Sequence, residues 1–405
     1  MPVLQIFTVL SSLLAATPAL SPARAVQSVF ATSPLPSDSV LAPDTEARWV
    51  SFDLTPGNQI RFGMVVNGVP ATAILDTGVS QSVLSEVYAA RHGLVAVDNG
   101  RASAVGGSVA IGHVAIRSLA IGGLARTGGG LSVVALPANA TGSAQPVDAL
   151  VGQDLIGTYA IDIDYEHKRF RLLASGRLPF RGIAVPIAPM PAFGLAITDV
   201  RLGGIRHRPM LIDTGDGAAI TLARQRLMGV PLSDQPLTST LAYGLGGPVV
   251  TDLGFAPAVS IGALNVRDVE VRIEPPNGYS ATLGIAGRIG NAVLSRYRVL
   301  IDVPAGRAVF APTSATDKPS DRSTSGIQTA VEGRILRVIH VMRGSPAEAA
   351  GWHADDLICS VDGSPIGQGD AQETVSGWSI GAPGRTVTLG MCDGRQRDLT
   401  LRRFY

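Results

Sequence analysis

One repeat limits what this chain can fold into more than any other feature. Residues 74–80 read ILDTGVS and residues 211–217 read LIDTGDG, so two apolar residues precede an Asp-Thr-Gly in each. The two aspartates, Asp76 and Asp213, lie 137 positions apart. Further on, VGQDLIGTYAIDIDYEHKRF at 151–170 aligns without a gap on IGNAVLSRYRVLIDVPAGRA at 289–308. That alignment brings Gly152 onto Gly290, Tyr159 onto Tyr297 and Asp164 onto Asp302. Between these markers each half carries a glycine-rich stretch, AVGGSVAIG at 104–112 and YGLGGPVV at 243–250. Two accidental turns would not carry a matched downstream segment with them, so the pattern reads as an internal duplication.

Within each copy the punctuation is that of strands and tight turns. FGMVV and TAILD flank Asn67-Gly68, and FGLAITDVRL and PMLID flank Gly203-Gly204, both hairpin signals ahead of the aspartate. The 47 glycines, 27 prolines and 5% aromatic content suit an all-β chain better than a helical bundle. At 405 residues, 46% of them apolar, there is material for two or three domains. A net charge of +1 gives no reason to expect nucleic acid as a partner. The six histidines are scattered and no Cys/His spacing suits a metal, so neither metal nor cofactor is expected. GIAGRIG at 284–290 lacks the spacing of a dinucleotide fingerprint, and no G-x-S-x-G supports a serine hydrolase.

A carboxylate at the end of an apolar strand is costly to bury without partners. Two of them at ~3 Å, with an effective dielectric of ~20, repel by about 5 kcal/mol. Sharing one proton removes that repulsion and leaves one base and one acid. Such a pair can deprotonate a water while protonating a substrate carbonyl. Gly78 and Gly215 allow the backbone to turn tightly beside the carboxylates. Thr77 and Thr214 are placed to hold the two loops together.

With these motifs in place, ILDTGVS with LVG at 150–152 and LIDTGDG with RIG at 288–290 resemble the retropepsin-like and pepsin-like aspartic peptidases. The resemblance covers roughly residues 47–312. It implies a mainly β fold of two aspartic-protease-like β-barrel lobes, 47–175 and 176–312. It implies Asp76 and Asp213 as the catalytic dyad, supported by Thr77, Gly78, Thr214 and Gly215. Gly106, Gly107, Tyr243, Gly246 and Gly247 would lie on flaps over the cleft, although Tyr243 also reads as an ordinary core or surface tyrosine. Three residues depart from the family pattern: Val79 after the first motif, Asp216 after the second, and Arg288 at an apolar position of the second downstream motif.

The ends of the chain read differently. Residues 3–20 are mostly apolar and SPARA follows, which predicts an export signal over 1–25 cleaved near Ala25, with an uncleaved membrane anchor as the alternative. Residues 26–46 read as a disordered leader, and 313–325 as a flexible linker. The segment GSPAEAAGWHADDLICSVDGSPI falls within 326–405 and resembles a PDZ domain of bacterial envelope proteases, a small α+β unit. That resemblance implies a C-terminal peptide ligand with its carboxylate at Gly326 and Ile327, and a groove helix over 371–381. Docking of the unit onto the lobes is the other use it could have. Cys359 and Cys392 could form a disulfide or remain separate thiols.

The sequence thus predicts an exported aspartic endopeptidase, periplasmic or secreted, acting on peptides or proteins. One alternative is an inactive peptide-binding scaffold of the same fold, motivated by Asp216 and Arg288. Another is an active site completed only by pairing with a second copy.

Overall fold

The structure, a computed structural model, describes residues 37–141, 146–230, 232, 235–367 and 377–405. The expected export segment, 26–36 of the leader and 371–376 of the groove helix lie outside the described residues. The fold is mainly β, and among the described residues the helices between strands are short.

The duplication in the sequence appears as a duplication of strand order. In the first half, strands Ile60–Val66, Val69–Leu75, Ala149–Val151, Val83–Ser85, Gly130–Val134, Gly107–Ala115 and Val97–Ala104 lie side by side in that order. In the second half, Ala196–Leu202, Ile205–Ile212, Gly287–Ile289, Ile220–Leu222, Leu264–Ile273, Gly247–Ile261 and Thr238–Gly244 repeat it. The parallel pairs repeat as well. Val69–Leu75 runs parallel to Ala149–Val151, as Ile205–Ile212 does to Gly287–Ile289. In each half the aspartate therefore follows the buried end of a central strand, Ala73–Leu75 in the first and Met210–Ile212 in the second.

The halves meet through equivalent strands. Tyr159–Asp164 pairs antiparallel with Tyr297–Asp302, in a register that sets Asp162 opposite Leu300. These two residues occupy the same place in the repeat, so the pairing has a local twofold axis through them. One large apolar core continues across this junction, including Ile161, Ile163, Val299 and Ile301. Both faces of these strands are buried, since Ala160 and Leu300 pack with Leu173 and Val309 in a second apolar cluster.

Two stretches expected to be loose are built into the fold. Within the leader, Ser37–Leu41 pairs with Leu124–Gly128, and Thr45 donates from its hydroxyl to the Leu172 carbonyl at 2.7 Å. Within the linker, Ser320 bonds to Asp268, Arg322 pairs with Asp268 and stacks over Phe255, and the Ser323 amide donates to the Tyr405 hydroxyl. The polar composition that suggested flexibility instead supplies the groups that fasten the segment.

The described residues of 326–405 include an antiparallel sheet in the order Ile327–Glu332, Ile335–Val341, Leu357–Val361, Thr386–Met391, Gln396–Thr400, with its own apolar core around Val338, Trp352 and Ile358. A short helix, Pro346–Ala349, is capped by Ser345. Cys359 and Cys392 are joined by a disulfide that ties neighbouring strands, with Cα atoms 5.1 Å apart.

Candidate active site

The two Asp-Thr-Gly turns face each other and are locked by reciprocal bonds. The Thr77 amide donates to Thr214 Oγ1 at 3.0 Å, and the Thr214 amide to Thr77 Oγ1 at 3.0 Å. Each hydroxyl then donates across the junction, Thr77 to the Ile212 carbonyl at 2.8 Å and Thr214 to the Leu75 carbonyl at 2.7 Å. Both threonines are fully buried, so these bonds form away from competing water. Thr214→Val would leave a buried amide and a buried carbonyl unpaired. A loss of about 2–4 kcal/mol in urea unfolding is expected.

This lock brings the carboxylates together. Asp76 packs against the Gly215 turn and Asp213 against the Gly78 turn. Each is also held by its own turn: the Gly78 amide donates to Asp76 Oδ1 and the Gly215 amide to Asp213 Oδ1, both at 2.9 Å. A Cβ on Gly78 would overlap the Asp213 carboxylate, and one on Gly215 the Asp76 carboxylate. Glycine is therefore required at both positions for close approach rather than for an unusual φ.

Two amide side chains complete the symmetry. Gln153 donates to the Thr77 carbonyl at 3.2 Å and Asn291 to the Thr214 carbonyl at 2.7 Å. They sit at matching places of the aligned segments, next to Gly152 and Gly290. Gln59 also donates to the Gly215 carbonyl, at 2.6 Å. Reading for glycines and acids passed over these amides. The signal available was an amide-bearing residue at the same repeat position in both halves.

Asp216 and Arg288, which looked like two separate departures, are partners. Arg288 Nε lies 2.9 Å from Asp216 Oδ2 and 3.6 Å from Asp213 Oδ2, and Nη1 lies 3.1 Å from Glu274 Oε1. Asp216 is further held by the Ala218 amide and the Thr221 hydroxyl, both at 2.9 Å. The first half has Val79 and Leu150 at the places of Asp216 and Arg288, with Leu150 in an apolar cluster with Ile74 and Val83. Its polar support lies elsewhere: Asp154 accepts from the Ser82 amide at 2.7 Å and hydroxyl at 2.6 Å, where the second half has Ala292 and Ala219.

Charge in the site follows from this geometry. Burial pushes Asp76 up to about 6, against the Gly78 amide and the Arg288 charge. Burial, then the neighbouring Asp76 charge, raises Asp213 well above its ordinary value, with Arg288 opposing. Burial also acts to raise Asp216, but Arg288 and the Ala218 amide outweigh it and hold it below its ordinary value. The dyad thus retains a proton at mildly acidic pH while Asp216 stays ionised.

The pH dependence of stability has a definite sign. An acid raised from 3.8 to about 6 on folding contributes stability that is present below pH 3.8 and lost as pH rises through 6. Asp76→Asn removes that loss while its side-chain oxygen can still accept from Gly78. In urea unfolding the variant should exceed the parent at pH 8 by about 3 kcal/mol, a difference that fades towards pH 4.

A cleft of about 460 Å³ lies over the dyad, and its lining includes Asp76, Asp213, Tyr243, Tyr279 and Arg288. Two hairpins cover it, Val97–Ala104 with Gly107–Ala115 and Thr238–Gly244 with Gly247–Ile261. Their tips touch: the Gly246 amide donates to the Val105 carbonyl at 2.9 Å. A Cβ on Gly106 would overlap the Gly247 backbone, and one on Gly246 the Gly107 backbone. All five residues read as flap candidates therefore lie on these hairpins. At the other expected site, the Gly326 amide already donates to Ser323 Oγ at 2.9 Å and the Ile327 amide to Ser325 Oγ at 3.1 Å. A peptide carboxylate would have to displace both hydroxyls. Among the described residues no group of three or more His, Cys, Asp and Glu is arranged to hold a metal.

The DNA damage-inducible protein 1 of Kluyveromyces lactis is 24% identical over 231 residues, which cover 55% of this chain and 53% of that protein. The chain thus spans about half the length of that curated relative. Residues 63–155, which contain the first Asp-Thr-Gly and its downstream glycine, match the model of the aspartyl protease family.

Proposed function

We propose that the chain is an aspartic endopeptidase whose single active site is built from both halves. The observation that carries this reading is the interlocked pair of turns, which sets Asp76 against the Gly215 turn and Asp213 against the Gly78 turn. With one proton between them, the ionised carboxylate takes a proton from water and the protonated one donates to the scissile carbonyl. The reciprocal threonine bonds and the glycine amides fix both oxygen sets before substrate arrives, so little reorganisation accompanies the reaction. The hairpins over the cleft exclude water and hold an extended peptide against the dyad.

The halves correspond to two protease-like lobes, and residues 326–405 to a PDZ-like unit. Export is part of the same proposal, supported by the apolar N-terminal segment and the Cys359–Cys392 bond, which suits an oxidising compartment. The test is digestion of a mixed peptide library between about pH 3 and 7, where such dyads titrate. Cleavage with an acidic optimum, blocked by a statine-type peptide, is the expected result. Absence of both cleavage and statine binding across that range would refute the endopeptidase.

A second reading draws on one observation, the guanidinium 3.6 Å from Asp213. If Arg288 held both dyad carboxylates ionised, the cleft would bind peptide without hydrolysing it. Peptide binding without turnover at any pH would select that reading.

A further inference from the structure

The unit formed by residues 326–405 does not hang from the rest of the chain. It is seated on the outer edge of the Thr238–Gly244 strand, one of the two hairpins that cover the dyad. Gln328 Oε1 accepts from the Leu241 amide at 2.8 Å, and Ser239 Oγ pairs with His340 Nε2 at 2.9 Å. Thr238 Oγ1 donates to the Arg343 carbonyl at 2.7 Å, and Arg343 Nη2 reaches Asp252 Oδ1 at 2.7 Å. Beneath these bonds Leu253 and Phe255 of the hairpin's second strand form a buried apolar cluster with Met342, Phe404 and Tyr405. Apolar burial combined with satisfied polar bonds makes this a packed junction and not a loose contact.

The consequence lies in the cleft. Gln328, Thr329 and Ile339 line the same cavity as Asp76 and Asp213. We propose that residues 326–405 form a fixed wall of the active-site cleft, with Gln328, Thr329 and Ile339 selecting one side chain of the bound peptide. This rests on reading the cleft as the peptide site. The three residues offer an aliphatic face and a neutral polar rim with no charge, so the side chain selected is an uncharged aliphatic one. The same seating anchors the Thr238–Gly244 hairpin, while its tip meets the opposite hairpin through the backbone bond from Gly246 to Val105 and through Leu245, which packs on the apolar cluster that holds Ile111. Substrate enters by parting the tips, not by lifting the wall.

The experiment uses the full chain, a mixed peptide library and a set of non-cleavable reduced-amide peptides of varied sequence. Ile339→Ala should lower the preference for a large aliphatic side chain at one substrate position by about tenfold, in cleavage and in binding, and leave the other positions and the melting temperature unchanged. Thr329→Lys should recruit an acidic side chain at that same position. Unchanged preferences, or equal weakening at every position, would overturn the wall. Hydrogen exchange during reduced-amide peptide binding gives an independent reading. Continued protection of the Leu241 amide is expected, and its loss on binding would show a removable plug instead. A chain that binds these peptides without cleaving them leaves the wall to be decided by the binding preferences and by exchange, and refutes only the endopeptidase. A chain that binds none of them overturns the wall along with the peptide cleft.

Discussion

Asp76→Asn and Asp213→Asn are each expected to lower peptide hydrolysis by at least about 10³-fold while the protein stays folded. An asparagine occupies nearly the same volume and can still accept from the neighbouring glycine amide, which lies 2.9 Å from the carboxylate in each turn. What it cannot do is exchange a proton. Either change therefore removes the base or the acid from a pair that works only as a pair. The two losses should not add: the double variant should be little slower than either single one, because each already disables the unit. Steady-state rates on one peptide substrate, with unfolding curves as a control for structure, check this. A single variant that retains a tenth of the parent rate would show that one carboxylate suffices.

Arg288→Leu is expected to cost about 3–5 kcal/mol of stability at pH 7, because it removes the cation that the buried Asp213, Asp216 and Glu274 share and leaves only the charge of Arg272 to act on Asp216. The first half indicates how the site would look without the cluster. It carries Val79 and Leu150 at the places of Asp216 and Arg288, and Ala135 follows strand Gly130–Val134 as Glu274 follows Leu264–Ile273. The combined Asp216→Val, Glu274→Ala and Arg288→Leu variant should therefore recover most of the loss, an interaction far from additive. Urea unfolding of the single and triple variants measures it. The cluster also biases the dyad. A guanidinium beside Asp213 favours its ionised form, so Arg288→Leu should move the acid limb of the rate profile to higher pH.

Much of this was legible in the sequence because a repeat constrains pairing. Asp-Thr-Gly at the ends of two apolar strands fixed where the turns would fall, and the gapless segments around Asp162 and Leu300 became the strands that pair across the axis. The hairpin tips were marked by glycines, since only glycine lets the two backbones approach so closely. What stayed hidden were contacts between residues far apart in the chain. Nothing local to Arg288 says that it meets Asp216, 72 residues earlier. Gln153 and Asn291 look like ordinary residues of a helical turn until their amides are seen to reach the threonine carbonyls. The leader and linker misled for a related reason. Ser, Thr and Pro suggest disorder when counted, yet Ser320, Ser323 and Thr324 act as individual donors and acceptors to fixed partners.

The measurement that bears most directly on one site built from two halves is calorimetric titration of the full chain with a statine-type peptide, whose hydroxyl takes the place of the attacking water. The account predicts one binding site per monomeric chain near pH 4–5, lost on either Asp76→Asn or Asp213→Asn alone. Two sites per chain, tight binding that survives either substitution, or binding seen only in a dimer would contradict it.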